Sequence, residues 1–234
     1  ILKEGESIGT FYGYKFLGVY SRDEDNINQV KNGSSNGKLF RGGDPIWDDL
    51  NGDHIIDAND KQIIGNAQPD FTGGFNNDIS YKNFTLNVFF QFSYGNDIYG
   101  NINMMRNWVF AYNNVSTDAL NRWRKQGDVT NYPRPIRNDP LGNEYNRVSD
   151  RWIEDGSYLR LKNVSLSYDV PTGIVRKLNL RGIRAYITAE NLVTWTHYTA
   201  YDPEVSSYSG LQLGVDDGSY PQRRTFIFGI NVEL

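Results

Sequence analysis

The stretch DLNGDHIIDAND (49–60) places Asp49, Asn51, Asp53, Asp57 and Asp60 at positions 1, 3, 5, 9 and 12 of a loop. This spacing lets side-chain oxygens wrap around one Ca²⁺ ion, which takes about six to eight oxygen ligands. Ile55, at position 7, offers its backbone carbonyl. Asp60 stands where calcium loops commonly use the longer Glu, and His54 stands where Gly makes the sharp turn. We therefore expect Asp49, Asn51, Asp53, Ile55, Asp57 and Asp60 to hold a structural Ca²⁺. The simpler alternative is a solvated acidic turn closed by Asx hydrogen bonds.

Three tryptophans form a second group of candidates. Trp108, Trp123 and Trp152 fall in one long connection, where their faces could stack on sugar rings. Packing within the loops or against a partner is the preferred reading. Catalysis has no comparable signal. His54 and His197 are the only histidines, neither stands in a recognisable serine-and-acid spacing, and no phosphate loop or nucleophile elbow occurs. Asp216 and Asp217 sit among Gly and Ser and read as solvated.

Composition narrows the class. The 234 residues are 38% hydrophobic and 14% aromatic, with 23 Gly, no Cys and a net charge of −4. Without cysteine, disulfides, thiol catalysis and cysteine-based zinc sites are excluded. The acidic balance, with no Lys/Arg cluster, argues against nucleic acid as a partner. No run of ~18 apolar residues occurs, so helical membrane spans are excluded. The opening ILKEGESIGT has no apolar signal region, so this is a cytoplasmic protein, a mature chain or a fragment, and the strand pattern below leads us to expect the fragment.

The elements that would carry these residues are strands. In FTLNVFFQFSY (84–94), Phe84, Leu86, Val88, Phe90, Phe92 and Tyr94 share one face. In TFIFGINVEL (225–234), Phe226, Phe228, Ile230, Val232 and Leu234 do the same. Strict alternation over ~9–11 residues is the length of a tilted strand across a bilayer, and outward aromatics are usual there. Six antiparallel strands are expected, at about 10–20, 71–81, 84–94, 157–170, 183–195 and 224–234. The phase change near Lys162 predicts a bulge in the fourth. Long connections (about 21–70, 95–156 and 196–222) alternate with short ones, as outer loops alternate with periplasmic turns in a transmembrane barrel. A short helix is expected within 116–125, with Leu120 and Trp123 on one side.

The predicted fold class is therefore all-β, with the strands forming part of a large transmembrane β-barrel. Six strands enclose no useful lumen, so the chain is expected to be a piece of something larger. Arg184, Tyr186 and Glu190 would face the lumen, where they could touch substrate, and Trp195 would sit in the aromatic girdle. The alternative is a soluble, calcium-stabilised β-sandwich that binds carbohydrate.

Several blocks resemble one family. GTFYGYKFLGVY (9–20), the stretch from DLNGDHIIDAND to QFSYGNDIY (49–99), LNRWRKQGD (120–128), DRWIEDGSYLRLKNVSLSYDVP (150–171), ITAENLVTWTHYTAYDPEVS (187–206) and YPQRRTFIFGINVEL (220–234) are similar to SusC/RagA-type TonB-dependent outer-membrane transporters. The resemblance implies the C-terminal part of a large plugged barrel in the bacterial outer membrane. It also implies a SusD-like surface lipoprotein as lid, the TonB complex as energy source through a missing N-terminal part, and oligosaccharide or peptide as cargo. Barrels of this type usually finish on an aromatic residue, whereas this chain finishes on Leu234.

Overall fold

The computed structural model describes residues 3–33, 37–107, 114–136, 147–205 and 212–234. The chain divides into two units. One comprises Pro69–Asn96, Asp155–Glu204 and Ser219–Leu234; the other comprises Ile1–Gln68, Asp97–Glu154 and Val205–Gly218.

The first of these units is a single antiparallel sheet. Its strands are β1 (Phe71–Tyr81), β2 (Phe84–Tyr94), β3 (Tyr158–Asp169), β4 (Gly182–Thr196) and β5 (Thr225–Glu233), each paired with its neighbours in sequence. β1 and β2 have 11 residues apiece. At ~3.3 Å per residue and a tilt of ~45°, such a strand spans ~25 Å, the height of the apolar band of a membrane barrel.

Local chemistry explains the short connections. Lys82 takes a φ of 53°, the left-handed geometry that a tight hairpin requires. Asn83 ties that hairpin to the end of β3: its Nδ2 donates to the Asp169 carbonyl at 2.7 Å, and the Asp169 amide returns to the Asn83 carbonyl at 2.9 Å. Between β3 and β4, one turn of helix (Thr172–Val175) and a 3₁₀ turn (Arg176–Leu178) end at Asn179 with φ 57°.

Register puts most apolar side chains of the five strands on one face, Phe89 and Ile227 being exceptions that pair with Asn76 and Thr188 on the other. Phe75 pairs with Phe90, Leu161 also with Phe90, Leu166 with Leu86 and Ile187, and Ile187 with Phe228. Phe75 and Phe90 stack with centroids 4.7 Å apart, and Phe84 lies 4.7 Å from Tyr168. The phase change falls where expected, because pairing slips between Leu161 and Asn163 against both neighbouring strands. Lys162 is the extra residue, and it returns Val164, Leu166 and Tyr168 to the apolar face. That face is uncovered, with Phe228 74% and Ile230 70% exposed. A sandwich would need a second sheet there.

The first expected strand departs from this scheme. Residues 10–20 form two pieces, Thr10–Gly13 and Phe16–Val19, which pair with Gln62–Asn66 and Pro45–Trp47 and not with the five-stranded sheet. Between the two pieces the backbone finds other partners. The Tyr14 amide donates to the Val148 carbonyl at 2.9 Å, and the Phe16 amide to Asp150 Oδ1 at 2.7 Å. The apolar residues are spent on a local core of Tyr14, Tyr20, Phe40, Trp47 and Ile56.

The described residues of the expected connections 21–70 and 95–156 are accordingly folded structure. Short strands include Lys31–Asn32, Ile55–Ile56 and Ile153–Asp155, and a helix spans Asn101–Arg106. A second cluster packs Phe11, Met104, Ile153 and Val215 around Tyr99 and Trp152. The helix expected within 116–125 is a 3₁₀ turn, Thr117–Asn121, capped by the Ser116 hydroxyl accepting from the Asp118 amide. Leu120 and Trp123 do not share a side: Leu120 is exposed and Trp123 is buried.

Candidate functional site

The face of the sheet opposite the apolar one is built from short polar side chains that bond across strands. Asn87 Nδ2 donates to Asn76 Oδ1 at 2.9 Å and to Asp78 Oδ1 at 2.8 Å, and the Ser165 and Thr188 hydroxyls meet at 2.8 Å. This is the character of an aqueous lumen wall.

Near the end of β3 that leads to the long connections, the wall carries a buried ion network. Arg160, 2% exposed, donates to Asp202 Oδ1 at 2.5 Å, Glu204 Oε2 at 2.8 Å and Thr194 Oγ1 at 2.9 Å. Lys162, displaced by the bulge, reaches the same Glu204 oxygen at 3.2 Å. Asp202 also accepts the Gln222 amide and the Glu204 amide, each at 2.9 Å. Burial alone pushes the Asp202 carboxyl up, but these two amides and the Arg160 guanidinium outweigh it and hold the group below its ordinary value. One carboxylate thus joins β3, the segment leaving β4 and the segment entering β5. Beside it lies a cavity of about 240 Å³ lined by Arg160, Asn191, Thr194, Tyr201, Gln222 and Arg224.

Of the lumen residues read from sequence, Arg184, Tyr186 and Glu190 all lie on this polar face, since they pair with Asp169, Ser167 and Asn163. Two of them are engaged by their neighbours. Arg184 Nε and Nη2 clasp Asp169 at 2.6 and 2.9 Å, a bidentate pair. The Tyr186 ring lies against Gly229 on β5.

The tryptophan candidates separate. Trp108 lies outside the described residues. Trp123 is buried, and its Nε1 donates to the Ser21 carbonyl at 3.0 Å. Trp152 is buried in the Tyr99 cluster with the Arg151 guanidinium 4.8 Å from its ring centroid. Burial leaves neither ring a face for a sugar; both serve loop packing.

The Asp-rich loop closes on its own backbone. Asp49 accepts the amides of Gly52 and His54 at 2.9 Å, Asn51 that of Asp53 at 3.0 Å, and Asp53 that of Ile55 at 2.8 Å. Asp57 accepts the Asn59 amide at 2.8 Å, while the buried Asp60 accepts those of Leu50 and Asp57 at 3.0 and 2.7 Å. His54 takes the left-handed conformation, φ 61°, that position 6 demands. Among the described residues, no three of His, Asp or Glu gather closely enough to hold a metal ion. Burial raises the Asp60 carboxyl first, and the charges of Asp49 and Asp57 raise it further against the two amides.

No family model matches the chain. The TonB-dependent receptor P3 of Formosa agariphila is 38% identical over 243 residues, covering 100% of this chain and 23% of that protein. TonB-dependent receptor SusC of Bacteroides thetaiotaomicron is 27% identical over 197 residues, covering 80% of the chain and 17% of SusC. Among solved structures, that of the RagAB peptide transporter matches with a TM-score of 0.73 at 22% identity, covering 96% of this chain and 23% of that one. This chain belongs with the SusC/RagA-type TonB-dependent transporters. It spans about a quarter of the length of the relatives named TonB-dependent receptor P3 and P39, 23% and 26%.

In a TonB-dependent barrel the two faces of the sheet acquire distinct solvents. The apolar face supplies part of the outer wall and the polar face part of the inner one. Arg160 and Asp202, which tie outer-loop segments to that inner wall, were not legible as a pair, standing 42 positions apart.

Proposed function

We propose that this chain forms part of the wall and outer loops of a bacterial outer-membrane importer. The observation that carries the reading is the register of β1–β5, which puts apolar side chains on one uncovered face and hydrogen-bonded polar ones on the other. A strand set of this kind needs lipid outside and water inside.

Working with a SusD-like lipoprotein lid and the TonB complex, the whole transporter takes up oligosaccharides, with peptides as the second cargo class. The first class follows the resemblance to SusC, and the second is favoured by the structural likeness to a peptide transporter. Its work is transport and not catalysis. The inner-wall groups Arg184, Tyr186 and Glu190 and the cavity beside Arg160 are the cargo-facing candidates of this portion. Uptake of fluorescent oligosaccharides and peptides by cells with and without the full-length gene tests the reading. Energy-dependent uptake lost on deletion supports it; uptake unaffected by deletion sinks it.

Calcium binding by residues 49–60 is a separate proposal. It is supported by the oxygen donors in register, the left-handed His54 and the mutual repulsion of Asp49, Asp57 and Asp60 that a cation would relieve. Binding requires the carboxylates to turn from their backbone amides toward the ion.

A further inference from the structure

Near the end of the sheet that leads to the long connections, the apolar face is interrupted by a groove of about 790 Å³. Leu159 on β3 forms its floor. Phe92 on β2 and Trp195 on β4 are the residues paired with Leu159 on either side, so they stand as its walls. Residues two strands apart are ~10 Å from one another, enough for one hydrocarbon chain between two rings. Leu159 itself has a paired strand on either side.

The groove is held open by a glycine. The Phe92 ring leans away from Leu159 and over Gly73 on β1, where an added Cβ would come within 2.8 Å of Cζ. Phe71 and Tyr94, stacked at 5.0 Å, back the leaning ring, with Phe71 meeting it edge-on at 6.0 Å. Any larger residue at position 73 would return the Phe92 ring toward Leu159.

Above the apolar floor the lining turns polar. Asp155, Ser157, Thr196 and His197 cap the groove. Asp155 Oδ1 accepts the Ser157 amide at 2.8 Å, and Asp155 Oδ2 stands 3.6 Å from His197 Nδ1. The Ser157 hydroxyl, its amide and His197 hold the Asp155 carboxyl below its ordinary range despite partial burial. At neutral pH it is an acceptor only. An acceptor carboxylate beside an exposed imidazole suits hydroxyl donors, and the indole of Trp195 offers a flat face at the same level. An apolar slot with such a cap, continuous with a lipid-facing wall, matches an amphiphile and not a soluble solute.

We infer that this groove is a lipid seat: one acyl chain lies over Leu159 between Phe92 and Trp195, and a sugar headgroup donates its hydroxyls to Asp155. The occupant is an outer-leaflet glycolipid. The inference rests on the reading that this face meets lipid and that its long-connection end is the extracellular one.

The test is native mass spectrometry of the full-length transporter, delipidated and then offered either an uncharged diacyl glycolipid or phosphatidylcholine, whose headgroup has no O–H or N–H to donate. Wild-type protein should retain the glycolipid. Leu159→Trp, which fills the slot, and Gly73→Ala, which pushes Phe92 back over it, should each lower retention at least tenfold. Asp155→Asn should lower glycolipid retention while leaving phosphatidylcholine, which has no headgroup donor for the carboxylate, unchanged. Heat-modifiable gel migration verifies that each variant is a folded barrel, which separates loss of the seat from loss of the fold. Equal retention by wild type and Leu159→Trp, or equal retention of the two lipids by wild type, overturns the inference while leaving the barrel reading intact.

Discussion

The Tyr186 ring on β4 rests on the bare backbone of Gly229 on β5; a Cβ at Gly229 would lie 2.2 Å from Tyr186 Cζ. The two residues are directly paired across the strands. A ring laid flat on a glycine fills the space of the missing side chain and fixes the register of β5 against β4.

Gly229→Val should therefore cost more than its β propensity returns, because Tyr186 must be displaced. Overpacking of this kind costs about 1–3 kcal/mol. The heat-modifiability midpoint of the purified barrel should fall, and Tyr186→Ala combined with Gly229→Val should recover part of the loss. A midpoint unchanged by Gly229→Val would show that the ring moves aside freely.

Asp202→Asn should loosen the outer segments without unfolding the sheet. The substitution leaves Arg160 buried with Glu204 as its remaining acid, and removing one partner of a buried pair costs roughly 3 kcal/mol. Hydrogen exchange should accelerate in 198–205 and 219–223 and stay slow in β3. Because the folded Asp202 carboxyl lies below its ordinary value, its contribution is present at neutral pH. It fades as pH falls below ~4, toward and through the folded value, so the same segments should loosen in wild type under acid.

Two buried phenols give a second pH signature. Burial pushes Tyr20 up to about 12, helped by the charge of Asp44, and burial alone pushes Tyr99 to about 12. A folded value above the unfolded one means stability that is full below pH ~10 and is lost as pH rises toward 12. In a 295 nm titration, Tyr20→Phe and Tyr99→Phe should each remove late-ionising absorbance, and Tyr20→Phe should weaken the alkaline destabilisation. An unchanged titration would place these hydroxyls in water.

For the Asp-rich loop, Ca²⁺ titrated into the full-length transporter should give a one-site isotherm that Asp53→Ala abolishes. Absence of heat at millimolar Ca²⁺ would leave the Asx-bonded turn as the complete description of residues 49–60.

Much of the sheet was readable because a period of two is a direct image of which face meets which solvent. The bulge at Lys162 was readable for the same reason: the apolar parity changes there and must be repaired. Residues 10–20 show the limit. Their alternation identified strand geometry but carried no information about which partner would satisfy the backbone, and Val148 and Asp150 do so from far along the chain. Trp123 and Trp152 were found by residue type, which cannot distinguish a buried ring from a presented one. Arg160 gave no signal, since a basic residue in an otherwise alternating strand resembles any lumen position until Asp202 folds against it.

The central claim is that β1–β5 are a membrane wall with lipid on one face and water on the other. This chain has no Cys, so with any cysteine elsewhere in the full-length transporter replaced, β5 can be scanned in bilayers with single nitroxide labels at positions 228, 230 and 232 against 231 and 233. The account predicts accessibility to oxygen at the even positions and to an aqueous nickel reagent at the odd ones, alternating residue by residue. Uniform accessibility to the aqueous reagent along the strand would contradict it.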